Sequence, residues 1–342
     1  MRLTQRVAAF AKAPKVLITG GGGQLGPGLA RLLREQYGHE NVVLSDVRKP
    51  NNPEAYNGPW KYADVTDYKG LEKIIVEQDI DWVFNFAALL SAVSEAMPEL
   101  AYNVNVGGCK NVLDLAKVHN LRVFIPSTIG AYGPTSKLTH PDGVPDIDIQ
   151  RCTSLYGVHK VFVENLGENY LRKFGVDFRC LRYPGIISAD TEPGGGTTDY
   201  AVDIYKKAVK GENYTCYLKP DSTLPMMHVD DCLRATKEFM ESSAELLNVA
   251  RPGNRCYNIS AMSFNPALVH DSIKTFFPQF EVDYKIDPVR QAIADSWPRR
   301  FDDRNAREVW GWDHEYDLAK LTEYMIQNLG GSTAAESKKA SL

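Results

Sequence analysis

The sequence has no apolar run approaching the ~20 residues of a membrane-crossing helix, and it has no Cys-x-x-Cys or His-Glu-x-x-His pattern. Its six cysteines, Cys109, Cys152, Cys180, Cys216, Cys232 and Cys256, stand far apart, and its seven histidines are as dispersed. That spacing argues against a disulfide framework and a protein-bound metal, and reads as small buried side chains in a reducing compartment. A large charge of one sign is missing as well. The formal net charge of −4 gives no electrostatic footprint for nucleic acid. Acidic residues are absent until Glu35, whereas Met1–Pro14 carries Arg2, Arg6 and Lys12 among Leu, Val, Ala and Phe. Such a start is expected to be a short mitochondrial presequence or a basic tail, with a cytoplasmic location as the alternative. Residues 330–342 are small and polar and are expected to be flexible.

What is there is a rhythm of strand and helix. Val16–Thr19, Val42–Ser45, Trp82–Phe86, Val123–Pro126 and Phe178–Leu181 are apolar runs of buried-strand length. Amphipathic stretches near 24–37, 67–78, 95–118 and 153–174 separate them. The alternation predicts an α/β chain with a Rossmann-type, doubly wound parallel sheet. The nucleotide-binding domain is expected over 15–183. A smaller C-terminal substrate lobe is expected over 184–329, with segments near 225–240 and 255–260 returning to the main domain.

The first strand runs into Gly20-Gly-Gly-Gly-Gln-Leu-Gly26, and a helix with Leu29, Leu32 and Leu33 follows. Glycines there permit a tight turn, close approach of backbone N–H groups to a pyrophosphate, and helix–strand packing. The helix N-terminus favours the phosphate charge. Gly20, Gly23, Gln24, Leu25 and Gly26 are therefore candidate pyrophosphate contacts. Asp46 ends the second strand, where a carboxylate accepts ribose hydroxyls and repels a 2′-phosphate, favouring NAD over NADP. Arg48 nearby pulls the other way. Asp64 and Val65 are placed beside the adenine, and Phe86, Ala87 and Ala88 at the carboxyl end of the fourth strand. Asn105 lies in the next helix, as a cofactor contact or a solvent-facing polar residue.

Tyr156 and Lys160 are four apart in a segment of helical periodicity, so they share one face. A phenol is a poor base at neutral pH, and a neighbouring ammonium together with a nicotinamide cation favours the phenolate. Lys160 is also placed to hold ribose hydroxyls. Ser127 and Thr128 end the fifth strand at the carboxyl edge, where ligands of open α/β sheets lie. Their hydroxyls are candidate contacts to the reacting oxygen, or else form a turn or cap.

The glycine loop, Asn85-Phe-Ala-Ala88, Ser127-Thr-Ile-Gly-Ala-Tyr-Gly133, Tyr156 to Lys160, Arg182-Tyr-Pro-Gly185 and His228-Val-Asp-Asp231 occur in one order. In that order the chain resembles the extended short-chain dehydrogenase/reductase family over about residues 15–330. The resemblance implies that Thr128 takes the catalytic Ser/Thr role beside Tyr156 and Lys160, and that Tyr183, Pro184 and Ile186 lie near the nicotinamide. Ala88-Leu-Leu-Ser-Ala92, Gly194-Gly-Gly-Thr-Thr-Asp-Tyr-Ala201 and the ending Trp297-Pro to Trp310-Gly-Trp312 resemble more closely the branch that oxidises L-threonine at its β-hydroxyl. Arg304 stands where that branch leads us to expect serine. The implied substrate contacts are Ser91, Ser127, Thr128, Tyr156, Gly196, Thr197, Thr198 and Trp297. A nucleotide-sugar epimerase or dehydratase is the runner-up, and a non-catalytic NAD sensor a third reading. The resemblance also implies a homodimer through helices 95–118 and 153–174, while charge, hydropathy and motif spacing give no expectation of a nucleic-acid, membrane or metal partner.

Overall fold

The computed structural model describes residues 13–49, 57–190 and 196–330. The basic start (1–12) and the tail (331–342), for which a presequence and flexibility were expected, lie outside the described residues, as do Gly194 and Gly195. The first half runs β1 (Val16–Thr19), α1 (Gly26–Tyr37), β2 (Val42–Asp46), β3 (Trp60–Tyr62), α2 (Tyr68–Glu77), β4 (Trp82–Asn85), α3 (Ser91–Ala96), α4 (Pro98–Tyr102), α5 (Cys109–His119), β5 (Arg122–Phe124), β6 (Ser127–Thr128), α6 (Pro134–Thr139) and α7 (Leu155–Phe174). Next come β7 (Asp177–Tyr183), β8 (Gly185–Ile187), α8 (Tyr200–Val209), β9 (Tyr214–Cys216), β10 (Leu224–His228), α9 (Val229–Glu241), α10 (Ala244–Ala250) and β11 (Cys256–Asn258). The chain closes with β12 (Met262–Phe264), α11 (Pro266–Lys274), β13 (Val282–Tyr284), α12 (Pro288–Ser296), α13 (Arg304–Trp310) and α14 (Leu318–Asn328).

The main sheet is parallel throughout, in the order β11-β7-β5-β4-β1-β2-β3, with β6 added against β7. Alternate residues of β1 explain why its whole run is apolar. Val16 and Ile18 pack under α1, α9 and Trp310, while Leu17 packs with Leu71, Val112 and Val163 of α2, α5 and α7. Both faces of the strand are thus buried between helices. A third cluster, including Tyr205, Met226, Val269 and Ile326, forms the core of the C-terminal lobe. The strand order reverses between β1 and β4, and in such sheets the crevice outside that point is where a ligand sits.

The segment expected as one helix over 95–118 starts earlier and is interrupted. Met97 and Pro98 separate α3 from α4, since proline lacks the N–H that would continue the first helix. Asn103–Gly108 then forms a π-helical segment before α5. The fifth strand is also shorter than expected. It stops at Phe124, and after Pro126 the chain pairs again as β6, with Ser127 opposite Arg182 and Thr128 opposite Tyr183. Chain order does not follow the lobes. Strand β11 lies at the edge of the main sheet, and Trp310 and Trp312 enter the core beneath α1 and α9. All six cysteines are free, five of them buried and Cys152 half-buried. No helix of the described residues is long and apolar enough to cross a membrane.

Candidate active site

The glycine loop is packed so tightly that side chains are excluded. Gly20 has φ +65°, and a Cβ there would stand 2.5 Å from the Ala87 nitrogen, at the other side of the crevice. A Cβ on Gly26 would meet the Gly21 oxygen at 2.5 Å. Gly23 is less constrained, its nearest neighbour being the Gly20 oxygen at 3.2 Å. The first turn of α1 has no side-chain cap at Leu25, unlike α2 and α7, which are capped by Asp67 and Ser154. Uncapped N–H groups at the end of a helix, framed by glycines, suit a pyrophosphate. Gln24 is exposed and Leu25 half-buried at that mouth.

Asp46 faces the loop. One carboxylate oxygen accepts the Gly22 N–H at 3.0 Å and the other the Arg48 N–H at 3.0 Å. Arg48 therefore meets Asp46 through its backbone. Each oxygen keeps a second acceptor site, which fits a pair of ribose hydroxyls. Gly22 was not among the expected contacts, although its position between Gly20 and Gly23 was the available signal. Asp64 accepts both the N–H and the hydroxyl of Thr66, at 2.8 and 2.7 Å, forming a turn. Val65 beside it is buried against Gly108, where a Cβ would stand 2.5 Å from the valine side chain.

Across the crevice, Phe86, Ala87 and Ala88 are half-buried where β4 ends. Asn105 is buried, and its amide braces this stretch. It accepts the Leu89 N–H at 2.8 Å and donates to the Leu89 carbonyl at 2.9 Å. Solvent exposure is thus excluded, and both amide atoms are already engaged with Leu89. Behind the loops, Thr19 donates to Asn85 at 2.6 Å, tying the carboxyl ends of β1 and β4 together.

Tyr156 is half-buried on the first turn of α7, and Lys160 follows on the same face. The Lys160 ammonium lies 5.6 Å from the Tyr156 ring centre and donates to the Pro126 carbonyl at 2.7 Å. Gly157 packs directly on the turn after β6, where a Cβ would stand 2.2 Å from the Gly130 oxygen. That contact brings the start of α7 onto Thr128. The half-buried Thr128 accepts the Gly130 N–H at 3.1 Å, which leaves its O–H free to donate. The Trp297 indole nitrogen lies on the same turn, 3.6 Å from a Cβ built at Gly130.

Two residues turn away from the crevice. Ser127, expected as a substrate contact, is buried and donates to Glu164, because successive strand residues face opposite sides. The Tyr183 side chain points into the main core, where its hydroxyl meets Thr236 at 2.5 Å. Its backbone stands opposite Thr128, and Pro184 and Ile186 follow it in the chain. Ser91 opens α3 without capping it, and its side chain is half-buried.

Gly196, Thr197 and Thr198 form a built loop. The Tyr217 hydroxyl donates to the Gly196 and Thr197 carbonyls at 3.2 and 3.3 Å and accepts the Tyr200 N–H at 2.8 Å. The Gly196 N–H donates to Asp199 at 2.7 Å. Thr198 packs on Gly185, where a Cβ would stand 3.0 Å from its methyl carbon. The threonine loop is thereby joined to the Tyr183–Ile186 stretch. His228 accepts the Asp230 N–H at 3.2 Å as the cap of α9 and stacks on Tyr316 at 3.9 Å. Burial lowers its pKa against the pull of Asp230, so the neutral acceptor form suits the cap.

Sequence reasoning missed the buried group beneath the site. Glu164 accepts Arg182 at 2.9 and 2.7 Å, Gln150 at 2.9 Å and the Ser127 hydroxyl. Arg182 also donates to the Tyr132 hydroxyl at 2.9 Å and the Asp146 carbonyl at 2.7 Å. The available signal was spacing, since Glu164 continues the four-residue step of Tyr156 and Lys160.

Comparison with known proteins agrees with this fold. The L-threonine 3-dehydrogenase, mitochondrial, of Bos taurus is 55% identical over 322 residues, covering 94% of this chain and 84% of that protein. The solved structure of L-threonine dehydrogenase from Clostridium difficile superposes with a TM-score of 0.88 at 41% identity, covering 93% of this chain and 98% of that one. The corresponding enzyme of Phytophthora infestans gives a TM-score of 0.86 at 46% identity, covering 92% and 98%. The model of the NAD dependent epimerase/dehydratase family matches residues 16–259, and the chain belongs to that family.

Proposed function

We propose that the chain oxidises L-threonine at its β-hydroxyl with NAD, giving 2-amino-3-ketobutyrate. What supports this reading is that Lys160, one turn after Tyr156, holds the Pro126 carbonyl two residues before Thr128, and that Thr198 packs on Gly185, two residues after the Tyr183 that pairs with Thr128. NAD, when bound, supplies the acceptor for the hydrogen that leaves the threonine β-carbon with its electron pair. Gly20, Gly22, Gly23 and Gly26, with Gln24, Leu25 and the first turn of α1, hold its pyrophosphate. Asp46 holds the adenosine ribose, and Asp64 and Val65 border the adenine. Phe86 to Ala88, just before the Leu89 that Asn105 holds, and the backbone of Tyr183 to Ile186 line the nicotinamide end.

Tyr156 takes the hydroxyl proton, with the Lys160 ammonium 5.6 Å from its ring centre on the same helical face. One of the three Lys160 donors is held by Pro126, which leaves two for the nicotinamide ribose. The free O–H of Thr128 donates to the reacting oxygen and steadies it as its C–O bond gains double-bond character. Ser91 stands as a second contact to that oxygen. The hydroxyls and backbone of Gly196, Thr197 and Thr198 suit the substrate carboxylate, and Trp297 walls the pocket. A mitochondrial location is proposed from the Bos taurus relative, and a homodimer through the helices of 95–118 and 153–174 from the exposed Leu100 and Tyr102 of α4 and Val158 and Phe162 of α7. The test is NADH formation from NAD and L-threonine, with Tyr156→Phe as the inactive control.

A further inference from the structure

We propose that Ser127 is a positioning residue. Through its hydroxyl and the buried carboxylate of Glu164, it fixes Thr128 against the helix that carries Tyr156 and Lys160. The inference rests on the roles given above to Thr128, Tyr156 and Lys160.

Thr128 needs such a device. It ends a strand of two residues that pairs on one side with β7. Pro126 just before it has no N–H to add to the ladder. The backbone alone therefore anchors this strand weakly. The adjoining side chains supply the rest. Lys160 takes the Pro126 carbonyl, and Glu164, one helical turn on, takes the Ser127 hydroxyl. Two consecutive residues leading into Thr128 are thus gripped by two consecutive turns of α7, on the face that presents Tyr156.

Glu164 is itself immobilised. Its four hydrogen bonds come from β6, from β7 through Arg182, and from the loop before α7 through Gln150. Four donors fill the acceptor sites of one carboxylate, so it has no reason to reorient. Proton and hydride transfer need the reacting atoms within about 3–3.5 Å, and a misplacement near 1 Å costs about 10²-fold. A hydroxyl that fixes its neighbour to that tolerance acts on rate without touching substrate.

The test is a cycle of Ser127→Ala, Thr128→Ala and the double variant in the full chain. It is read by steady-state NADH formation with L-threonine and by NAD titration. Ser127→Ala is expected to lower kcat about ten- to a hundredfold with NAD affinity unchanged. The deuterium isotope effect from threonine labelled at the β-carbon is expected to rise as the chemical step becomes limiting. In the Thr128→Ala background, adding Ser127→Ala should change kcat little, because the residue it positions is gone. Ser127→Thr keeps a hydroxyl and should recover activity; if it packs badly, the cycle still decides. Losses that multiply in the double variant, or a Ser127→Ala protein with wild-type kcat and isotope effect, overturn the inference alone. A wild-type chain that binds NAD and leaves L-threonine unoxidised overturns the substrate reading and this inference with it.

Discussion

Lys160 holds the Pro126 carbonyl at 2.7 Å while its ammonium stands 5.6 Å from the ring centre of Tyr156. One side chain therefore ties the helix to the strand end and sets a positive charge beside the phenol. Tyr156→Phe removes the proton acceptor and leaves that tie in place. Oxidation should fall by at least about 10²-fold, while NAD binding, followed by quenching of protein fluorescence, stays within a factor of two or so. Substantial turnover in this variant would remove Tyr156 from the mechanism.

Gly26→Ala places a methyl group 2.5 Å from the Gly21 oxygen, backbone against backbone. The loop must shift, at a cost of about 1–3 kcal/mol, and the shift falls on the groups proposed to hold pyrophosphate. NAD should bind at least about tenfold more weakly, with the far-ultraviolet dichroism of the fold kept. Unchanged affinity by calorimetric titration would show that the cofactor does not rest on this turn.

Asp46→Ser removes a carboxylate that the Gly22 and Arg48 N–H groups aim at the loop. A hydrogen bond to a charged group contributes about 1.5–3 kcal/mol, so preference for NAD over NADP should narrow about tenfold or more. Comparing kcat/KM with the two cofactors measures this, and an unaltered ratio would place the ribose elsewhere.

Glu164→Ala leaves the Arg182 guanidinium buried without its partner and should destabilise the fold by about 3–5 kcal/mol, seen in urea unfolding. Burial opposes the Glu164 charge, but Arg182, Ser127 and Gln150 outweigh it and hold the carboxyl below its ordinary pKa. A carboxyl lowered on folding adds stability that is full above its unfolded value, about 4.3, and is lost as pH falls through the lower folded value. The wild type should therefore lose stability more steeply than the variant below about pH 4.3. Parallel acid limbs would contradict the assignment.

Much of this was legible from residue types and spacing. The apolar runs at Val16, Val42, Trp82 and Phe178 and the glycines after Thr19 required a parallel sheet with a loop at β1, because few other arrangements bury such runs on both faces. Tyr156 and Lys160 were legible because helical spacing is local. What was not legible depends on contacts distant in sequence. Nothing near Ser127 reveals that its hydroxyl turns inward to Glu164, since that follows from the break between β5 and β6 and from the register of β6 on β7. The clamp of Tyr217 on Gly196 and Thr197 joins residues about twenty apart. Asn105 read as a cofactor contact or a solvent-facing residue on a regular helix, whereas it lies in a π-helical segment and bonds Leu89.

The most direct measurement is NADH absorbance with purified protein, NAD, and in turn L-threonine, D-threonine, L-serine and UDP-sugars, with product analysis for the sugars. The account predicts NADH from L-threonine, little from the other amino acids, and no converted sugar. Conversion of a UDP-sugar without oxidation of L-threonine would contradict it, leaving the fold and the Tyr156–Lys160 pair but reassigning the loop from Gly196 to Thr198.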